Sequence, residues 1–164
     1  MITIYTDGSS KGNPGPGGWG TIVFSGKDLV VRIKELGGRE EKTTNNRMEM
    51  RAAIEGLRAL SKLEDTERSE VEIHTDSEYL MKGATLWILG WQKNNWKTKD
   101  KKAVLNQDLW EELSVEMGKR KVKWEKVRGH SGHKFNDRCD EIAQSLALGK
   151  KVVLYDGDER SYKI

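Results

Sequence analysis

Two stretches of the chain end in the same way: Ile4-Tyr5-Thr6-Asp7 and Ile73-His74-Thr75-Asp76. Each closes a run of alternating β-branched and apolar residues, the spacing of a strand. Both aspartates therefore stand at strand carboxyl ends, where ligands gather in sheets with parallel strands. A lone Asp at such a place is commonly a turn former or helix cap; the matched pair tilts the reading toward a shared site. Glu49 is open from the residues alone. Asn46-Arg47-Met48-Glu49 fits a capping box, yet Glu49 shares a helix face with Ala53, Gly56 and Leu60 and so points at packed surface. Asp140 lies beside the apolar stripe of the last helix and, by itself, passes for a flanking surface acid. Carboxylates brought together repel, by ~4 kcal/mol per pair at ~4 Å and an effective dielectric of ~20. A cation or bound protons must offset that. An all-oxygen donor set favours Mg²⁺ or Mn²⁺ over zinc, and two such ions can clamp the attacking and leaving oxygens of a phosphodiester. His130 and His133 have zinc-like spacing but no cysteine pair beside them, and Cys139 falls on an apolar helical stripe.

The elements that must hold these residues follow from periodicity. Ile2 to Asp7 reads as a strand, and Gly8 to Gly20 as a turn-rich stretch holding both prolines. Trp19–Ser25 and Leu29–Leu36 read as the next two strands, in an antiparallel meander. A helix follows from about Arg47 to Lys62 on the stripe Met50, Ala53, Ile54, Leu57 and Leu60. Val71–Asp76 returns to strand spacing. Tyr79–Gln92 predicts one or two short helices broken near Gly83 or Gly90, and Asn106–Lys119 another helix. Val122–Val127 is the fifth expected strand. Asn136–Leu148 is the last helix, with Gly149 placed to cap it. The order βββαβα…αβα is a mixed α/β domain, with strands one, four and five parallel through right-handed crossovers. The domain spans 1–149; Lys150–Ile164 is charged, lacks caps and is expected to be a mobile tail.

At 164 residues the chain fits one domain. No apolar run approaches the ~20 residues of a membrane-spanning helix. A single cysteine excludes an internal disulfide framework and suits a reducing cytoplasm, the expected location. The net charge of +3 says little, because 29 bases face 26 acids. The clustering says more: Lys93, Lys97, Lys99, Lys101 and Lys102 stand together against Asp100 alone.

In order along the chain, the motifs resemble type I ribonuclease H of bacteria. They are Thr6-Asp7-Gly8-Ser9 with Gly12-Asn13-Pro14-Gly15-Pro16-Gly17-Gly18, Thr43-Thr44-Asn45-Asn46-Arg47-Met48-Glu49, and Thr75-Asp76-Ser77. Gly129-His130-Ser131-Gly132-His133 then leads to Asn136, Arg138, Cys139 and Asp140. Trp87 to Leu113 resembles the basic protrusion of that family, at about residues 84–105. The resemblance implies a ribonuclease H-like fold, with a five-stranded mixed sheet in the order 3-2-1-4-5 flanked by helices. It implies an endonuclease that hydrolyses the RNA strand of RNA–DNA hybrids with two Mg²⁺ ions, Mn²⁺ being able to substitute, and leaves 5′-phosphate and 3′-hydroxyl ends. Asp7 would bridge both ions. Asp140 would serve the ion on the attacking side and Glu49 with Asp76 the leaving side, while His130 assists proton movement or product departure. Under the resemblance, the capping-box reading of Glu49 gives way.

For substrate, the same resemblance points to Gly12, Asn13, Asn45 and Asn46 as contacts to RNA and the minor groove, where the 2′-hydroxyl distinguishes RNA from DNA. Thr44 matches a DNA-phosphate position. Lys97, Lys99, Lys101 and Lys102 are expected on a backbone-phosphate surface, with Trp96 against the DNA strand. Trp87 and Trp91, four apart, read as core. Glu78 departs from the pattern, since many relatives carry Gln there, and puts a negative charge beside the minor-groove contact. Phe135 also departs. Rival readings are a catalytically silent hybrid- or duplex-binding module and another two-metal nuclease of the same fold. A monomer with no obligatory protein partner is expected.

Overall fold

Alternation in the first strand decides the layering of the molecule. In the computed structural model, which describes residues 2–27, 29–63, 70–128 and 133–164, β1 (Ile2–Ser10) sends Ile2, Ile4 and Thr6 into one buried layer. Tyr5 turns to the opposite face. β1 pairs antiparallel with β2 (Gly15–Lys27), which pairs antiparallel with β3 (Val30–Thr43). On its other side β1 pairs parallel with β4 (Val71–Thr75), and β4 with β5 (Val122–Lys126). The helix α1 (Asn45–Leu60) lays Met50, Ala53, Ile54, Leu57 and Leu60 on the Ile2–Ile4–Ile73 face. α5 (Lys134–Ala147) covers the other face through Cys139, against Ile22 and Ile33.

The protrusion follows β4. Here α2 (Glu78–Lys82) and α3 (Ile88–Lys93) are joined without a break by a π-type turn at Gly83–Trp87, and α4 (Gln107–Gly118) packs beside α1. The sequence predicted a break near Gly83 or Gly90; instead the helix widens by one residue per turn. Gly83 at its start serves packing: a Cβ there would run into the ring of fully buried Trp110. Trp91 packs on the core as expected, while Trp87 is 37% exposed at the rim of the tryptophan cluster. α5 ends as its sequence foretold. Gly149 takes φ 76°, its N–H donates to the Leu146 carbonyl, and that of Lys150 donates to Ser145.

Two expectations need correction. The sheet has six strands, not five, in the order β5-β4-β1-β2-β3-β6. The expected order 3-2-1-4-5 is intact within it. The sixth, β6 (Asp156–Asp158), comes from the segment expected to be a mobile tail, and pairs antiparallel with Arg32–Lys34 of β3. The physical reason lies outside the strand itself. Tyr155 and Tyr162 pack at a tilt with ring centroids 4.9 Å apart, and both bond to the buried Glu35 carboxylate.

Candidate active site

The parallel register of β1 on β4 runs from Ile2–Val71 to Tyr5–His74. Continued by two residues, the same offset sets Asp7 opposite Asp76. The matched Ile-x-Thr-Asp endings are therefore neighbours in space. Glu49 joins them from α1. That helix is capped by Thr44, whose hydroxyl accepts from the Arg47 N–H at 3.2 Å, so the capping box read at Asn46–Glu49 does not form and Glu49 lies in the second turn. Its approach to β1 depends on Gly8, where any Cβ would collide with the Glu49 backbone nitrogen and the adjoining Met48 backbone.

Oxygens of Asp7, Glu49 and Asp76 lie within 4.8 Å of one another. Asp7 is 5% exposed and Glu49 9%. Burial, then the charge of Asp76, push the Asp7 carboxyl up to about 7; the Asp140 charge adds to this, while bonding to Glu49 and the Gly8 N–H opposes it. Burial and the charges of Asp7 and Asp76 raise Glu49 well above the usual carboxylate range. Glu49 Oε2 is buried without a hydrogen-bond partner. Such an orphaned acceptor amid repelling acids is a place for a cation. Asp140 stands outside the tight triad on α5, close enough for its charge to act on Asp7. Both of its oxygens accept from the Gln144 side-chain amide at 3.0 Å. His130 lies outside the described residues.

The RNase H family model matches residues 1–147, nearly the whole chain. The chain belongs to the RNase H family. Its relatives include Ribonuclease H of Syntrophotalea carbinolica, 50% identical over 94% of this chain and 96% of that protein. Ribonuclease HI of Caulobacter vibrioides is 50% identical over 87% and 89%. Among solved structures, LC9-RNase H1, a type 1 RNase H with the type 2 active-site motif, is 33% identical with a TM-score of 0.81, covering 95% of this chain and 77% of that one. LC11-RNase H1, solved in complex with an RNA/DNA hybrid, is 25% identical with a TM-score of 0.64, covering 88% and 95%.

In this RNase H chain the residues singled out for substrate fall into two places. Gly12, Asn13, Thr44, Asn45 and Asn46, with Ser10, line one open groove of about 500 Å³. Gly12 has φ 137°, a value that L side chains rarely adopt, and Asn45 Oδ1 accepts from the Ser10 N–H, tying the loop to the start of α1. Lys97, Lys99, Lys101 and Lys102 are all exposed on the protrusion. Trp96 is half-buried against the core, beside Trp91. Glu78 is exposed and ion-paired with Lys126 and Lys82. Lys126 could not be read as its partner from the residues, since β5 comes close only through the sheet. Phe135 packs with Tyr5 and Phe24 beneath α5, and His133 packs there too. The Asp140–Gln144 pair, by contrast, has a readable signal in its i,i+4 spacing.

Proposed function

We propose that the chain is an endoribonuclease that hydrolyses the RNA strand of RNA–DNA hybrids, with Mg²⁺ held by Asp7, Glu49, Asp76 and Asp140. One observation carries the reading: three carboxylates converge to within 4.8 Å while a buried oxygen of Glu49 has no partner. The donor chemistry fits a hard divalent cation, because among the described residues every ligand atom of the cluster is a carboxylate oxygen and no cysteine or histidine joins it. Two such ions, when bound, supply Lewis-acid stabilisation to both the attacking and departing oxygens of a phosphodiester.

The residues divide that work. Asp7, at the centre of the acid–acid interactions, would touch both ions. Asp140 would serve the side where water attacks, and Glu49 with Asp76 the side where the 3′ oxygen departs, leaving a 5′-phosphate. His130 would carry a proton or speed product release. The groove of Gly12, Asn13, Asn45 and Asn46 adjoins the acids along β1 and α1 and would read the 2′-hydroxyl. Thr44 would contact a DNA phosphate while capping α1. The lysines of the protrusion, with Trp96, would hold the DNA backbone. Glu78 would weaken the neighbouring contact.

The decisive assay incubates the protein and Mg²⁺ with an RNA–DNA hybrid, duplex RNA and duplex DNA in separate reactions. Cleavage confined to the RNA strand of the hybrid is expected. Cutting of duplex DNA, or an intact hybrid, would overturn the proposal.

A further inference from the structure

Glu35 is an acid in the middle of a strand, only 3% exposed. Four donors meet its two oxygens. Arg138 Nε lies at 2.7 Å and Nη2 at 3.0 Å, the Tyr162 hydroxyl at 2.7 Å and the Tyr155 N–H at 2.9 Å. Burial opposes ionisation, but Arg138, Tyr162 and the Tyr155 amide outweigh it and hold the carboxyl below its usual range. Arg138 is further tied to the Val153 carbonyl and to Glu141. β3, α5 and the C-terminal segment are thus knotted at one buried carboxylate.

Arg138 belongs to α5, two residues before Asp140. Two residues turn about 200° around a helix, so the guanidinium and the Asp140 carboxyl leave α5 on opposite sides, one toward β3 and the tail, the other toward β1 and Asp7. Beneath them α5 lies directly on β2, where Gly20 leaves no room for a side chain under the Cys139 carbonyl. Ile142 and Leu146 seat over a floor of Gly18, Gly20 and Gly37 and set the height of the helix. The bidentate Arg138–Glu35 bond adds a restraint in the turn that carries Asp140, because its two parallel contacts fix an orientation as well as a distance.

We propose that the Glu35–Arg138–Tyr162 clasp is a positioning device for Asp140, which makes the C-terminal segment part of the catalytic architecture. The inference rests on the reading of Asp140 as a metal ligand. A roll of about 10° at a side-chain radius of about 6 Å moves a carboxylate by about 1 Å. A misplacement of that size can cost about 100-fold in rate.

The test uses the full chain. Arg138→Lys keeps the charge but loses the fork; kcat on the hybrid should fall about 10- to 100-fold with KM within twofold, at temperatures where circular dichroism shows the fold intact. In the metal-free protein, the side-chain amide resonance of Gln144 should shift, because that amide reports the Asp140 carboxylate directly. On an Asp140→Asn background, Arg138→Lys should cost nothing further. Should Arg138→Lys fail to fold, Tyr162→Phe carries the same readouts with an effect of about threefold. Unchanged kcat with an unmoved Gln144 resonance, or a loss that adds fully to that of Asp140→Asn, overturns the clasp while leaving the active-site reading in place. Asp140→Asn with full activity overturns both, and that single variant identifies the cause.

Discussion

Replacing Asp7 by Asn should stabilise the metal-free protein and abolish its activity. In the folded protein the Asp7 carboxyl is pushed from its ordinary 3.8 up to about 7, chiefly by burial and by the charge of Asp76. Between those values the folded state holds a proton that the unfolded state has released. Stability therefore falls as pH rises through this window. Above pH 7 the full penalty applies: about three units at 1.36 kcal/mol each, or about 4 kcal/mol. Asparagine carries no charge and can still accept from the Gly8 N–H. For a domain of this size each kcal/mol moves Tm by about 2–4 °C, so Asp7→Asn should melt about 8–16 °C higher at pH 8 in EDTA. The gain should vanish near pH 4, where both proteins are neutral at this position. Mg²⁺ should raise the wild-type Tm and do little for the variant, which should still bind hybrid without turning it over. Calorimetric melting across pH 4–8 decides the matter. A difference that stays flat with pH, or a variant less stable at pH 8, would refute the account of buried mutual repulsion.

Three further outcomes follow from the same structure. Because protons compete with metal for Asp7 and Glu49, the apparent Mg²⁺ affinity should tighten as pH rises through about 7, with proton release measurable by titration calorimetry; affinity constant from pH 6 to 8 would contradict it. Glu78→Gln should free Lys126 for a phosphate, steepening the log–log salt dependence of hybrid binding by about 0.9 and lowering KM with kcat little changed; an unmoved salt slope would return Glu78 to a surface role. Alanine at Lys97, Lys99, Lys101 and Lys102 should flatten that slope by about 0.9 for each lysine that meets a phosphate, and identical slopes would leave the protrusion a merely solvated face.

What could be read from the residues was what local pattern encodes. Alternation and matched endings were enough to pair Asp7 with Asp76, and the Gly149 cap was visible as a glycine after a periodic stripe. Glu49 shows where local pattern misleads. Its sequence offered a capping box starting at Asn46, but the helix begins earlier, because Thr44 is itself a good cap and Gly8 lets the first turns press against β1. The sixth strand was invisible for a related reason. Asp156-Gly157-Asp158 has no apolar alternation, and what holds it is a contact between Glu35 and residues more than 100 positions away. Glu35 itself reads as an ordinary strand acid until Arg138 and the two tyrosines are seen around it. Long-range pairing of polar groups leaves little local trace; only burial reveals it.

β6 also bears on how molecules of this protein meet one another. Without it, β3 would end the sheet with an open rim of unpaired N–H and C=O groups along 14 residues, a template on which a second chain could add. The short strand closes the rim at Arg32–Lys34 and puts Asp156 and Asp158 in its place, the former neutralised by Arg32 and the latter by Arg160. At that stretch a newcomer would meet only the three residues of β6, two of them acids, while the rest of the β3 rim lies outside this pairing. Removing Asp156–Asp158 should uncover the Arg32–Lys34 edge for strand addition, which would show as self-association in solution.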